Sequence, residues 1–209
     1  EAGSFGFTPR LGNNLNADLR LRLDHYQHWG WQESYNLGLG YYIVPDKLKI
    51  KGSFASAFRI PSFTDLYYSD SANKGSPDLG IERSQQFSTG LEFKKDILIL
   101  GAGGFLRHGM DLIDWTRPSS NDIWQATNLG KVDFRGLDFS LKISPSRDQA
   151  VLGIKQFAFS YNYISAKKKA SGFLSKYALD ILKHRYILSI HQNIFGLSLS
   201  WNMSYNERY

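Results

Sequence analysis

Five histidines and a thin scatter of carboxylates are the groups in these 209 residues that could do acid–base or metal chemistry. His25 and His28 have a spacing that suggests a metal pair. On an extended strand those two side chains point to opposite faces, and no third ligand lies nearby in sequence. They are expected to be solvated or to anchor a boundary. His108, His184 and His191 stand alone. Asp65, Glu82 and Asp114 are loop acids, too far apart in sequence for proximity to be inferred. No Ser/His/Asp order and no glycine-rich phosphate loop supports a catalytic centre. Cysteine is absent, which excludes disulfide staples and Cys-based zinc sites. No enzyme, metal site or cofactor is expected. Aromatic side chains are better suited to recognition. Tyr67 and Tyr68 fall in the longest loop, and Trp115 and Trp124 flank another. All four are candidates for ligand contact, with Tyr26, Trp29 and Trp31 near a further connection. A competing reading needs no ligand: the tryptophans form a girdle of amphipathic rings at a membrane boundary, and the tyrosines pack between loops.

The elements that must position these residues read as β-strands, because apolar side chains recur at every second position. Leu19, Leu21 and Leu23 oppose Asp18, Arg20, Arg22 and Asp24. Tyr35, Leu37, Leu39, Tyr41 and Ile43 form the next stripe, and Leu48, Ile50 and Phe54 the one after. Phe87 to Phe93, Phe157 to Tyr163 and Leu197 to Tyr205 repeat the pattern. Three stretches fit less well, one of them Tyr186, Leu188 and Ile190, a stripe with Ile187 on its other side. Ile97 to Phe105 is apolar on both faces, so its orientation is open. Between Val132 and Ile143 the apolar phase slips at Arg135-Gly136. That slip predicts a β-bulge, since one extra residue flips every later side chain. Alternatively, Val132 and Phe134 lie beyond a bilayer, where no lipid dictates their face.

Alternation alone does not separate a sandwich from a barrel, since each buries one face. The connections favour the barrel. Val44–Lys47, Lys94–Asp96, Ser144–Gln149 and Gln192-Asn193 are short, whereas Ile60–Arg83, Asp111–Ala126 and Ala166–Lys183 are long. Short and long take turns, as they must when successive turns emerge on opposite sides of a membrane with longer loops outside. Hydrophobic residues make up 42%, with no run near the ~20 apolar residues a membrane helix needs. A barrel escapes that test because only alternate residues meet lipid. Aromatic content of 15% agrees with a barrel, although carbohydrate-binding sandwiches share it. The net charge is +6 with scattered basic residues, and the run Lys167-Lys168-Lys169 reads as a solvated loop, not a nucleic-acid patch.

Several segments resemble one family. Ala57-Phe58-Arg59-Ile60-Pro61-Ser62 with Leu66-Tyr67, and Ser76-Pro77-Asp78-Leu79-Gly80-Ile81-Glu82-Arg83-Ser84, are similar to paired motifs of TonB-dependent outer-membrane receptors. Asp111-Leu112-Ile113-Asp114 resembles the close of that family's next strand pair. Asn128-Leu129-Gly130 with Arg135-Gly136-Leu137-Asp138 resembles its Asn-x-Gly…Arg-Gly-x-Glu strand. The order and spacing agree across residues 17 to 143. Ser76 stands for Asn, Gly80-Ile81 for Lys-Pro, and Asp138 for Glu. On this resemblance Phe58, Arg59, Pro61, Pro77, Leu79, Glu82, Asn128, Gly130 and Gly136 are structural motif positions.

The resemblance implies an all-β, antiparallel, up-and-down transmembrane β-barrel in the bacterial outer membrane. Residues 1–209 would be an incomplete barrel domain of about 9–10 of about 22 strands. The plug domain, the final strands and the TonB box would lie outside the chain. The expected function is import of a scarce ligand (a metal chelate, cobalamin or glycan) with energy supplied through TonB. Expected partners are outer-membrane lipid, the plug, TonB and the ligand. Arg20, Arg22, Lys49, Lys51 and Arg59 share the polar phase and should face the lumen. There they either contact the plug or an anionic ligand, or sit in a hydrated interior at little cost. The alternatives are a porin or autotransporter translocator, and a soluble β-sandwich adhesin or sugar-binding module.

Overall fold

The computed structural model describes residues 1–146, 150–168, 172–176 and 182–208. Lys169 and parts of the 144–149 and 166–183 connections lie outside the described residues. The chain forms β1 (Ala2–Phe7), β2 (Arg10–Leu11), β3 (Leu15–Tyr26), β4 (Gly30–Val44) and β5 (Leu48–Arg59). A short helix α1 (Phe63–Tyr67) and β6 (Asn73–Lys74) follow. Then come β7 (Glu82–Lys95), β8 (Leu98–Arg117), β9 (Trp124–Ile143), β10 (Ile154–Lys168), β11 (Leu174–Ser175), β12 (Leu182–Ile194) and β13 (Leu197–Arg208). The long strands lie side by side in the order β1-β3-β4-β5-β7-β8-β9-β10-β12-β13, each antiparallel to its neighbours. Among the described residues the sheet does not close on itself, since β1 pairs only with β3 and β13 only with β12.

The register aligns the stripes. Leu37, Phe54, Phe87 and Leu106 form one row across four strands, and Leu48, Phe93, Leu100, Leu141, Phe159, Leu188 and Met203 form another. Among the described residues no second layer covers this face. Leu19 is 40% exposed, Leu39 61%, Leu91 48% and Leu199 38%. A sandwich would seal these residues between two sheets, so the sandwich alternative is overturned. Bare leucine rows of this length are costly in water and stable against acyl chains.

On the opposite face several charges pair with one another. Arg20 donates to Asp18 at 3.0 Å, Arg22 to Asp24 at 2.7 Å and Lys51 to Glu92 at 2.8 Å, while Lys49 lies 5.1 Å from the Tyr42 ring centre. Register also orients the ambiguous stretch: Leu98, Leu100, Ala102, Gly104 and Leu106 share the apolar face. The expected bulge at Arg135-Gly136 is absent, because pairing with both β8 and β10 runs through it without a shift. The apolar phase changes because Val132 and Phe134 turn inward and are buried.

The other correction concerns the expected 111–126 loop. Pairing between β8 and β9 continues through it, leaving only residues 118–123 as the connection. Each strand is 20 residues long, about twice the ~9–11 that cross a bilayer. The excess stands on the side of the long connections.

Candidate functional site

The projecting hairpin of β8 and β9 organises a cluster of loops at that end of the sheet. Two features of its base allow this. Asp111 has φ +53, and the ladder skips its pair with Gly130 before resuming in register. Above that point, β6 from the β5–β7 connection pairs with β9, and β11 from the β10–β12 connection pairs with β8. Each loop thus reaches the hairpin strand that belongs to the far side. The hairpin is held from both edges.

Beneath these contacts lies a small apolar core. Leu66, Leu79, Ile113, Trp115 and Ala126 are buried together, with Trp29 and Trp124 packed against them. Helix α1 delivers Leu66. It starts at Ser62, whose hydroxyl accepts from the Asp65 backbone while Asp65 accepts from the Ser62 backbone, a capping box. Gly75 passes so close over α1 that a β-carbon there would sit 2.9 Å from backbone atoms of Asp65 and Leu66.

An ionic bolt locks this core to the strands. Arg59, at the end of β5, donates to Glu82 at 2.9 Å, to Asp65 at 3.3 Å and to the Ile113 carbonyl at 3.2 Å. Glu82 also accepts from the Ile113 amide at 3.2 Å. Burial alone pushes the Asp65 carboxyl up. The Ser62 hydroxyl and backbone, the Arg59 charge and the Trp115 side chain more than offset this and hold it below the ordinary value. Asn128 is a second fastening. Its amide accepts from the Gly80 backbone at 2.8 Å and donates to the carbonyls of Gly80 and Asp111. Arg83 reaches Gln32 at 2.7 Å, which donates to the Trp29 carbonyl, so the β3–β4 turn is tied in as well.

Several of the motif positions inferred from sequence lie together here. Arg59 and Glu82 form the bolt, Leu79 lies in the core, Asn128 clamps the loop, and Gly130 faces the Asp111 kink. Pro61 precedes the capping serine and is buried, Pro77 begins a turn, and Phe58 lies at the end of β5, 6.0 Å from Tyr26 edge to face. Gly136 lies under the Phe105 ring, where any β-carbon would collide with it.

The aromatic candidates separate by exposure. Tyr67 and Tyr68 are 56% and 47% exposed, and the Phe63 and Tyr67 rings lie 4.8 Å apart. Trp115 is buried in the core, and Tyr68 meets it edge-on at 6.3 Å. Trp124 is half-buried, with Arg117 4.3 Å and Lys176 5.6 Å from its ring centre. Tyr68 also donates to Asp70 at 2.8 Å, and Asp70 caps the backbone of Ala72 and Asn73. These bonds bring the Asp70 carboxyl down to about 2, and the same contact raises the Tyr68 phenol. The histidine pair divides between tryptophans, His25 to Trp31 and His28 to Trp29. Sequence reasoning missed Ser62, Gln32, Asn73 and Lys176 as loop fasteners. The Ser62-x-x-Asp65 capping signature was the one local signal available.

The comparisons agree with this geometry. The family model described as TonB dependent receptor-like, beta-barrel, matches residues 4–209. The chain is 27% identical over 127 residues to the vitamin B12 transporter BtuB of Vibrio vulnificus, which spans 60% of this chain and 20% of that protein. BtuB of Photobacterium profundum is 25% identical over 154 residues, 71% of this chain and 23% of that protein. The chain thus spans about a fifth of the length of these relatives. Among solved structures, the ferric enterobactin receptor PfeA of Pseudomonas aeruginosa superposes with TM-score 0.74 at 18% identity, over 98% of this chain and 32% of that one. The copper transporter OprC gives 0.70 at 16% identity, over 95% and 33%. With its family matched over nearly its whole length and its leucine rows bare, the chain belongs to the TonB-dependent receptor β-barrel family of the bacterial outer membrane.

Proposed function

We propose that the chain supplies part of the barrel wall of a receptor that imports a scarce ligand with energy delivered through TonB. The family match along residues 4–209 carries this reading. The ion pairs of the polar face support it, because a lumen filled by a plug and water tolerates paired charges. In this reading residues 1–209 form part of one barrel domain, and the plug domain, the remaining strands and the TonB-engaging segment come from elsewhere in the receptor. Arg20, Arg22, Lys49, Lys51 and Arg59 look towards the plug or an anionic ligand. Tyr67, Tyr68 and Trp124 form the ligand-facing aromatic surface, with Trp115 as the packing behind it.

The ligand is a metal chelate, a cobalamin or a glycan. The named relatives lend support to the cobalamin and metal classes. The test places the full-length receptor in a strain without competing uptake systems. Accumulation of labelled cobalamin, a ferric siderophore and an oligosaccharide is followed with and without TonB. The proposal predicts uptake of one probe that disappears when TonB is deleted. Equal uptake in both strains would identify a passive porin instead, and no TonB-linked uptake of any probe would sink the proposal.

A further inference from the structure

The apolar face is not uniform. Gly52, Thr89 and Gly104 align as a row of small residues between the row of Phe54, Phe87 and Leu106 and the row of Ile50, Leu91 and Ala102. Beside Gly104 lies a trough of about 410 Å³, walled by Phe87, Leu106, Leu137 and Tyr163. Arg135 stands at its end nearer the long connections, directly across from Leu106. Further along the same face, His108 and Asp133 already satisfy each other at 2.5 Å.

Arg135 stands on the apolar face, in line with Leu137 and Phe139, whereas the basic groups of the sheet described above lie on the polar face. Arg20, Arg22, Lys51 and Arg59 each hold a carboxylate. Among the described residues Arg135 has neither an ion pair nor a hydrogen-bonded partner, and its side chain is exposed. A guanidinium at the margin of an apolar belt extends into the headgroup layer, where anions are at hand. A phosphate suits it best, since the planar fork engages two oxygens at once. The trough and the cation lie in mid-sheet, flanked on both sides by paired strands, so their surroundings do not depend on the open edges.

We propose that this trough binds one phosphate-bearing anionic lipid, with an acyl chain beside Gly104 and the phosphate on Arg135. The test uses delipidated full-length receptor in detergent, titrated with phosphatidylglycerol, phosphatidylcholine or inorganic phosphate and read by native mass spectrometry. Folding of each variant is checked by heat-dependent electrophoretic mobility. The expected result is one tightly retained phosphatidylglycerol, with phosphatidylcholine weaker and inorganic phosphate unable to displace the lipid. Arg135→Gln removes the phosphate contact and Thr89→Phe fills the trough. Each should weaken retention about tenfold or more, while Arg135→Lys retains part of it. Should either variant fail to fold, Arg135→Leu and Leu137→Trp test the same two contacts. Wild-type retention by a headgroup or trough variant, equal binding of phosphatidylcholine, or displacement by free phosphate overturns the proposal.

Discussion

Replacing Arg59 by alanine removes one side chain that joins three separate segments. The lost bonds are those to Glu82, to Asp65 and to the Ile113 carbonyl. A bond to a charged group contributes about 1.5–3 kcal/mol when well protected. The Arg59 side chain is 47% exposed, so solvent screening brings each bond towards the bottom of the neutral range, about 0.5–1 kcal/mol. Asp65, itself buried, is then left with Ser62 and Trp115 as its remaining partners, which adds a cost of similar size. The sum is about 2–4 kcal/mol of local opening free energy, a factor of roughly 30–900. Hydrogen exchange on the full-length receptor reads this directly at the backbone amides of Asp65 and Ile113. Lysine at position 59 should rescue little, because one ammonium cannot serve both carboxylates and the carbonyl in the same geometry. Exchange that changes less than about threefold in Arg59→Ala would refute the bolt as the fastening of the loop cluster.

Other expectations follow from the same contacts. Asp70 has its pKa depressed to about 2, so its turn is fully stabilised above the ordinary carboxylate value of about 3.9 and loses that contribution as pH falls towards 2. Exchange of the Ala72 and Asn73 amides should rise in that window, and a transition at or above pH 4 would contradict the assigned bonds. Gly136→Ala forces the Phe105 ring aside and should destabilise the strand pair by about 1–3 kcal/mol, read as a lower unfolding midpoint of the receptor in lipid. An unchanged midpoint would show that the ring yields freely. Leu91→Arg places a charge in the apolar rows and should cost about 2–4 kcal/mol near the bilayer midplane, whereas Gln86→Arg on the polar face should cost little.

Much of the sheet could be read in advance because lipid imposes its preference on alternate residues of every crossing strand. Leu19 to Leu23 and Tyr35 to Ile43 carry that imprint plainly. The imprint fails where lipid is absent or where side chains are missing. Gly101, Gly103 and Gly104 carry no phase, so the face of β8 emerged only from its pairing with β7 and β9. Val132 and Phe134 mimic a bulge because both are buried on the inner face, out of phase with the exposed row of Leu137 and Phe139. Ile113, Trp115 and Arg117 against Asp114 and Thr116 do alternate, yet their aromatic and polar mixture read as loop. Strand β1 carries only a short stripe, Phe5 and Phe7 against Ser4 and Gly6, too brief to mark a strand by alternation alone. The crossed edges of the β8–β9 hairpin had no local signature. They depend on contacts between residues as far apart as Asn73 and Lys176, which donates to it at 3.0 Å.

The chain contains no cysteine, so single reporter cysteines can be placed along it without background from these residues. With the full-length receptor in bilayers of brominated lipid, fluorophores at Leu91 and Leu137 should be quenched. Fluorophores at the adjacent Glu92 and Asp138 should be spared, because each pair straddles the two faces. Quenching that ignores this alternation, or that favours Glu92 and Asp138, would place lipid on the wrong side of the sheet and contradict the barrel wall described here.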